Sequence, residues 1–185
     1  MISCLNEIYM LNYNKLKLTG MKLDYRTKIV DITEKAEYKK YLYRCLAPMP
    51  FRRHVRRQKY LQEAIPKGFR KKLLIFNGEV VGTIEYAPAE ASGYPIKGNN
   101  VIVMNCIWVL RKAKGHNFGN LLIRDMIKSE KEAAGFATIA LENHWSPWFM
   151  KWQMEKLGFK AMDSMAHPLY RPQNWEGPIL ELMEM

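Results

Sequence analysis

The chain has 185 residues and a formal net charge of +11, and 48% of its residues are hydrophobic. This length and composition predict one globular domain with a sizeable core and exclude a disordered chain. No apolar run reaches the roughly 18 residues that a membrane helix needs, and we expect no membrane partner. The basic charge favours anionic partners, such as nucleic acid or a phosphorylated cofactor, without choosing among them.

The three cysteines, Cys4, Cys45 and Cys106, are far apart and odd in number. This usage predicts reduced thiols in a cytoplasmic protein. The four histidines do not cluster with the cysteines in the sequence, so we expect no metal site. The N-terminal segment also lacks the basic region that begins a signal peptide.

The first half of the chain predicts a strand, two helices and a hairpin. The strand is predicted at 26–32, and Thr33 is expected to cap the helix that follows. A second helix is predicted at 51–65 and is closed by the Pro-Lys-Gly of 66–68. Asn77-Gly78 then joins two β-rich runs, which is a strong hairpin signal.

The second half alternates strands with helices. The run VIVMNCIWVL at 101–110 is apolar on both faces, which is typical of a central strand covered on both sides. A helix is predicted at 117–134, ending at Gly135, and another at 146–158, ending at Gly158. The remaining strands are predicted at 136–143, 159–166 and 179–184.

This order of elements predicts an α/β (α+β) protein with a mixed central sheet of about six to seven strands and helices on both faces. The unit at 101–141 should be a parallel strand–helix–strand unit. The regular pattern begins near Arg26, so we interpret residues 1–20 as a candidate N-terminal extension and residues 21–185 as a single domain.

The segment RKAKGHNFGNLLIRDMI, residues 111–127, lies where the central strand passes into a helix. Main-chain N–H groups and the positive end of the helix dipole make such a place suitable for a phosphate. Gly115 and Gly119 would allow a close approach, and the lysines and Arg111 would attract an anion. The spacing is neither a Walker A loop nor a GxGxxG fingerprint. On its own, the loop is equally consistent with a tight turn and close helix packing.

Two motifs resemble those of the GCN5-related N-acetyltransferases (GNAT). Val109, Lys114, Asn117 and Gly119 follow the pattern V-x-x-x-x-[QR]-x-x-G-x-[GA], with Lys in place of Arg or Gln and Asn in place of the first glycine. The sequence MEKLGF at 154–159 resembles the second signature, Y-E-K-x-G-F. The resemblance covers roughly residues 26–165, and the order of elements agrees throughout.

The resemblance implies an acetyl-CoA-dependent N-acetyltransferase that transfers the acetyl group directly to an amine of a small molecule or a protein. It implies that the pyrophosphate of acetyl-CoA is held by the strand end, the loop and the helix start. It also implies that a tyrosine, here replaced by Met154, protonates the departing thiolate. The residues expected to bind the cofactor are Val109, Leu110, Arg111, Lys114, Gly115, His116, Asn117, Phe118, Gly119 and Asn120.

Three residues are candidates for the chemistry. Glu85 lies on a strand between apolar neighbours, where burial would raise its pKa toward that of a useful base; the alternative is a side chain facing solvent. His144 has a suitable intrinsic pKa, although a lone histidine is more often structural. Glu142 beside it could also face the cleft. Cys106 is either a thiol near the acetyl group or a small buried hydrophobe, with Asn105 expected on the opposite face.

Aromatic and basic clusters leave other interpretations open. Trp145, Trp148 and Trp152 recur at helical spacing, which favours core or sheet packing over walling an acceptor pocket. The basic run FRRHVRRQK at 51–59 favours a solvated face, with a nucleic-acid-binding module as an alternative function. A GNAT-like protein that binds acyl-CoA without turnover is a further alternative. The strand predicted at 179–184 could pair across a homodimer.

Overall fold

The computed structural model of the protein describes residues 5–11, 25–33, 35, 38–44, 46, 55–142 and 149–166. Its strands and helices are, in chain order, β1 (Leu5–Leu11), β2 (Thr27–Asp31), α1 (Lys39–Leu42), α2 (Val55–Ala64), β3 (Arg70–Phe76), β4 (Glu79–Pro88), β5 (Val101–Val109), α3 (Phe118–Ser129), β6 (Gly135–Glu142), α4 (Lys151–Lys156) and β7 (Phe159–Ala166). The predicted strand at 179–184 lies outside the described residues.

The strands form one seven-stranded sheet in the order β2-β3-β4-β5-β6-β1-β7. All neighbouring strands are antiparallel except β5 and β6, which are parallel and joined by α3. The predicted mixed sheet and the parallel strand–helix–strand unit are therefore confirmed. The hairpin is confirmed as well, because Asn77 and Gly78 take the positive φ angles (51° and 80°) that a tight two-residue turn between β3 and β4 requires.

Alternation along β3 divides the core between the two faces of the sheet. Leu73 is buried in a cluster with Leu61 of α2, whereas Leu74 is buried in a cluster with Leu122 of α3. Successive strand residues point to opposite faces, so helices cover both sides, as the sequence predicts. We refer to the two sides as the α2 face and the α3 face. On the α3 face the predicted apolar stripe of the helix is buried.

Several predicted helix boundaries are wrong. Thr33 does not cap a helix, because α1 begins only at Lys39 and the Thr33 hydroxyl accepts the Lys71 N–H at 3.1 Å. Helix α3 ends at Ser129, and Gly135 begins β6 instead of ending the helix. The helix predicted to start at residue 146 is described from Lys151 onward, with residues 143–148 outside the described part.

Strand β1 was not predicted, since its sequence LNEIYML mixes apolar and polar residues without a clear alternation. It lies between β6 and β7 and pairs antiparallel with both. Tyr9 and Leu11 are buried. The division of the chain at residue 21 stays a prediction, but residues 5–11 are part of the described sheet. None of the described helices combines the length and apolar character of a membrane span.

Candidate active site

A cleft opens in the sheet between β5 and β6. The two strands pair only from Val101–Gly135 to Val103–Ala137, after which β5 continues along β4 and β6 continues along β1. At the point of divergence the Thr138 hydroxyl donates to the Met104 carbonyl at 2.9 Å. Beyond that bond the facing edges of β5 and β6 are separate. The cleft therefore runs toward the carboxyl ends of both strands.

At its open end, the cleft is bounded on the β6 side by the segment that leads into α4. The Leu141 N–H donates to the Phe149 carbonyl at 2.8 Å, and Leu141 forms a parallel bridge with Met150. Because β1 occupies the other edge of β6, Phe149 and Met150 lie on the edge that faces the cleft.

On the β5 side, the open end of the cleft is bounded by the loop that joins β5 to α3. After Val109 the chain makes a short 3-10 turn at Arg111–Ala113 and then passes through Gly115 (φ 92°) and Asn117 (φ 56°). Asn117 takes the left-handed conformation that asparagine tolerates better than most residues.

This loop presents a row of main-chain donors. The first main-chain hydrogen bond of α3 runs from the Leu121 N–H to the Asn117 carbonyl at 3.2 Å. Within the described residues, the N–H groups of 115–120 have no main-chain acceptor. Such N–H groups at the positive end of a helix dipole form an anion site.

Packing does not explain the two glycines of the loop. A Cβ at Gly115 would meet nothing within 4 Å, so the requirement there is the positive φ angle. A Cβ at Gly119 would meet only Leu157 of α4, at 3.5 Å, which is an ordinary contact. A glycine at 119 is therefore not needed for helix packing, and it leaves the first turn of α3 open to a ligand.

The other predicted cofactor-binding residues surround this loop. His116 stacks on Phe118 with ring centroids 5.0 Å apart, and it also contacts Phe76 of β3. The Asn120 amide donates to Asn117 Oδ1 at 2.5 Å. Val109 and Leu110 are half-buried at the end of β5, whereas Arg111 and Lys114 are exposed. Lys112 forms an ion pair with Glu79, so part of its charge is already neutralised.

Glu85 lies in a buried ion cluster on the α2 face. Nη2 of Arg57 donates to both carboxylate oxygens at 2.7 Å, and Lys71 Nζ lies 2.7 Å from Oε1. Lys71 is the cross-strand partner of Glu85, and its ammonium also donates to the Arg44 carbonyl after α1, at 2.6 Å. The cluster Arg57–Lys71–Glu85 thus joins both helices of this face to the sheet.

The expected burial of Glu85 is confirmed, but the expected rise of its pKa is wrong. Its side chain does not face solvent, because it is only 3% exposed. Burial by itself would raise the pKa of this carboxyl, but the charges and hydrogen bonds of Arg57 and Lys71 outweigh burial and lower the pKa to about 2. A carboxylate held so firmly in its ionised form is a weak base at neutral pH.

Cys106 and Asn105 lie beside this cluster. Cys106 is buried and pairs across the strands with Glu85. The next pair is Tyr86 with Met104, so Asn105 is the extra residue of a β-bulge. The prediction that Asn105 alternates to the opposite face is wrong. Its amide donates to the Ser92 carbonyl at 2.6 Å, in a segment that packs on the α2 face.

The fold is similar to that of solved acetyltransferases. A tandem GNAT protein from the clavulanic acid biosynthesis pathway gives a TM-score of 0.60 at 17% identity, over 90% of this chain and 53% of that chain. Aminoglycoside 6'-N-acetyltransferase AAC(6')-Ih from Acinetobacter baumannii gives 0.54 at 16% identity, over 80% and 99%. AAC(6')-Iy, in complex with the bisubstrate analogue CoA-S-monomethyl-acetylneamine, gives 0.51 at 14% identity, over 80% and 98%. The chain has the GNAT fold.

At these identities the likeness concerns the fold. The chain spans 50–60% of the length of three of the larger structures that it matches. No protein-family model matches the sequence, and no curated protein matches it.

Met154, which the motif resemblance aligns with the tyrosine of Y-E-K-x-G-F, is 2% exposed and packs in the core of the α3 face. His144, Trp145 and Trp148 lie outside the described residues, and only the main chain of Glu142 is described, at the end of β6. Trp152 is 58% exposed, so the expectation that it packs in the core is wrong. Within the described ranges, no three His, Cys, Asp or Glu side chains are grouped as a metal site would require.

Two residues of this region were missed by the sequence analysis. Lys71 is fully buried, although a lysine in a strand normally indicates a solvent-facing position. Tyr94 lies in the Pro- and Gly-rich segment between β4 and β5, and it reaches the bulge of β5. Neither residue carries a periodic or motif signal that could have identified it.

Proposed function

We propose that the protein is an acetyl-CoA-dependent N-acetyltransferase. The observation that carries this proposal is the cleft between β5 and β6, which ends at a loop with six consecutive main-chain N–H groups turned to no main-chain acceptor in the described residues. A cleft that suits an extended chain therefore leads directly to a loop that suits a phosphate. Acetyl-CoA has both parts, a pantetheine arm and a pyrophosphate.

The residues present fit this cofactor. The N–H groups of 115–120 would hold the pyrophosphate, with Arg111 and Lys114 adding attraction from the exposed side of the loop. The edge of β5 from Met104 to Val109 would hold the pantetheine amides, because β6 no longer pairs with it there. Bound acetyl-CoA would supply the acetyl group as a thioester at the inner end of the cleft.

The chain's own groups would then orient the acceptor amine and manage its proton. An amine with a pKa near 10.4 must lose a proton before it attacks, which costs about 4–5 kcal/mol at pH 7. Glu85 is unsuited to take that proton, since its pKa of about 2 makes it a much weaker base than the amine. We assign to Glu85 the role of holding Arg57 and Lys71 on the α2 face, beside Cys106.

His144 and Glu142 remain our candidates for the base: Glu142 is the last residue of β6, and His144 comes two residues later in the sequence. Amine acceptors of two structural neighbours, the aminoglycoside acetyltransferases, make aminoglycosides a first set of probes. Peptide amines, polyamines and amino acids complete the acceptor panel.

Thermal unfolding with CoA tests the cofactor site. CoA at 100 times its Kd should stabilise the protein by about 2.7 kcal/mol, which raises Tm by about 5–10 °C for a domain of this size. Gly119→Glu should abolish the rise, because a carboxylate at the first turn of α3 repels the phosphates. Gln58→Glu adds the same charge at an exposed site of α2 and should keep the rise. No rise for the wild type at millimolar CoA would refute the proposal.

Release of free thiol from acetyl-CoA in the presence of the amine panel tests turnover. A protein that binds CoA but releases no thiol with any amine would be the binding protein without turnover, an outcome that the buried Met154 makes worth testing. The nucleic-acid alternative is less favoured, because Arg57 of the basic run is engaged with Glu85 in the core. That alternative predicts RNA or DNA binding with a steep dependence on salt.

A further inference from the structure

Tyr94 lies over the apex of the cleft. Its ring packs, from the α2 face, against a small cluster that includes Val103 and Ala137. These two residues form the last pair of the β5–β6 ladder, and Ile139 of β6, just beyond it, belongs to the same group. Tyr94 therefore belongs to the apolar group that covers the point where the two strands separate.

The hydroxyl of Tyr94 is held close to the bulge of β5. It donates to the Asn105 carbonyl at 3.2 Å, which is long for a bond between two oxygens. Ser92 fixes the neighbouring main chain, because its Oγ accepts the Tyr94 N–H at 3.1 Å and its carbonyl accepts the Asn105 amide at 2.6 Å. A stronger acceptor bound at the apex would therefore replace the Asn105 carbonyl as the partner of the hydroxyl, while the hydrogen bonds of Ser92 remain in place.

Asn105 adds a second sign that a ligand belongs at the apex. Its Oδ1 is buried and has no hydrogen-bond partner within the described residues. A buried acceptor without a donor is costly, so a donor supplied by a ligand would be stabilised there. The attacking amine of an acceptor is such a donor.

The spacing between the two ends of the cleft suits a single extended ligand. Asn105 and Leu110 are five residues apart on an extended strand, which is roughly 17 Å. The phosphate-binding loop begins at Leu110, and Tyr94 stands at the other end. A pantetheine arm is an extended chain of two amide units and a thiol-bearing end, comparable in length to this stretch. Its sulfur would then lie at the apex.

We infer that the Tyr94 hydroxyl donates a hydrogen bond to the departing sulfur of the thioester, without the proton transfer that the family resemblance assigns to the tyrosine replaced here by Met154. This inference rests on the proposed function. The acceptor nitrogen forms the C–N bond and loses one proton; the C–S bond breaks, and the sulfur keeps the electron pair and takes up one proton. Tyr94 stabilises the negative charge on the sulfur while that exchange takes place.

The surroundings of Tyr94 suit a donor and not a base. Burial raises the pKa of this tyrosine well above its ordinary value of 10, and the nearby Cys106, Tyr60 and Glu85 raise it further, while Arg57 lowers it. The hydroxyl therefore keeps its proton at any pH at which the enzyme works. A phenol of this kind gives a hydrogen bond to a thiolate and does not itself ionise.

The test compares two tyrosines of the α2 face. Tyr94→Phe removes the hydroxyl and keeps the ring. Tyr60→Phe is the matched control, since the Tyr60 hydroxyl also donates to a main-chain carbonyl, that of Ala91 at 2.8 Å. Thiol release from acetyl-CoA is measured with hydroxylamine as a small nucleophile, which avoids dependence on the unknown acceptor. We expect kcat to fall about 10- to 100-fold for Tyr94→Phe and less than twofold for Tyr60→Phe, with the Kd for CoA unchanged in both.

Each outcome decides between the inference and the proposed function. A Tyr94→Phe variant with wild-type kcat would overturn the inference and leave the proposed function standing. Loss of CoA binding together with rate would show a structural role and overturn it as well. A wild type that binds CoA without releasing thiol would end both. Ser92→Ala covers the case of a Tyr94→Phe variant that does not fold: it frees the Tyr94 main chain and should lower kcat several-fold at unchanged Kd for CoA.

Discussion

Lys71 and Lys72 are neighbours on β3, yet they point to opposite faces of the sheet and are neutralised in different ways. Lys71 is fully buried, and its ammonium contacts Glu85 at 2.7 Å and the Arg44 carbonyl at 2.6 Å. Lys72 reaches Asp125 of α3 at 2.6 Å and also donates to Ser129, and Asp125 is 28% exposed. Lys72 itself is only 7% exposed, so the pair on the α2 face lies wholly in the core, whereas the pair on the α3 face extends from the core to the rim.

The difference follows from what each face must support. On the α2 face, α1 and α2 pack against β3 and β4, and the cluster Arg57–Lys71–Glu85 ties both to the sheet. On the α3 face, a broad apolar stripe already fixes α3, so that the loop at its start is firmly placed. Desolvating a buried charge costs free energy that its partners offset. Removing one partner therefore leaves an uncompensated charge in the core and destabilises the protein. The α2 face should therefore be the more sensitive of the two.

Removing the charge of Glu85 should have the largest effect. Glu85→Gln leaves Lys71 buried beside Arg57 without a counter-charge, and we expect a loss of about 3–5 kcal/mol in the free energy of unfolding, measured by urea denaturation at pH 7. Replacing two partners together, as in Lys71→Met/Glu85→Gln, should restore part of that loss. If Glu85→Gln lowers the free energy of unfolding by less than 1 kcal/mol, the buried charges of the α2 face do not stabilise the fold as argued.

The same carboxylate should make stability depend on pH in acid. Its pKa is about 2 in the folded protein and near 4.5 when the chain is unfolded. A lowered folded-state pKa stabilises the protein fully above the unfolded value, and this contribution is lost as the pH falls from about 4.5 toward 2. It amounts to roughly 3 kcal/mol, counted from the pKa difference.

Urea denaturation at several pH values between 7 and 2.5 measures this loss. Lys71→Met/Glu85→Gln lacks the carboxylate and should show a shallower decline than the wild type over this range. Equal declines in the two proteins would mean that Glu85 does not titrate with the folded-state pKa that its two cationic neighbours impose.

On the α3 side the next effect should come from the main chain of the loop. Asn117 holds a φ of 56°, a conformation that costs most L-residues about 1–2 kcal/mol. Asn117→Ala should therefore lower the free energy of unfolding by about 1 kcal/mol, whereas Asn117→Gly should leave it nearly unchanged. The CoA-induced rise in Tm, measured beside it, should survive in the glycine variant. Equal stabilities for the two variants would contradict the conformational argument.

Sequence reasoning succeeded where local chemistry decides the structure. The Asn77-Gly78 turn follows from the conformations that those residues allow, and the covering of β5 on both sides follows from its apolar residues on both faces. The family resemblance pointed to the loop between β5 and α3 as the candidate site for the pyrophosphate. The fold was therefore predicted in its central part, from β2 to β7.

What could not be predicted depends on partners distant in the sequence. Glu85 was expected to have a raised pKa because nothing local shows that Arg57, 28 residues earlier, and Lys71 converge on it. Tyr94 approaches the cleft only because the segment after β4 folds back over the β5–β6 junction. Strand β1 was missed because its position between β6 and β7 is fixed by pairing with both neighbours, not by its own pattern.

The smallest effect should come from the rim of the α3 face. Asp125→Asn breaks the ion pair with Lys72, but the lysine keeps its contact with Ser129, and the partly exposed amide can still accept a hydrogen bond. We expect a loss of about 0.5–1 kcal/mol, reduced further by salt, because an ion pair near solvent gains little net free energy. Urea denaturation at low and high ionic strength measures it beside Glu85→Gln. If Asp125→Asn cost as much as Glu85→Gln, burial would not be what separates the two faces. If Asp125→Asn loses stability only at low ionic strength, then solvent screens the Lys72–Asp125 pair, whereas the Lys71–Glu85 pair is shielded from it.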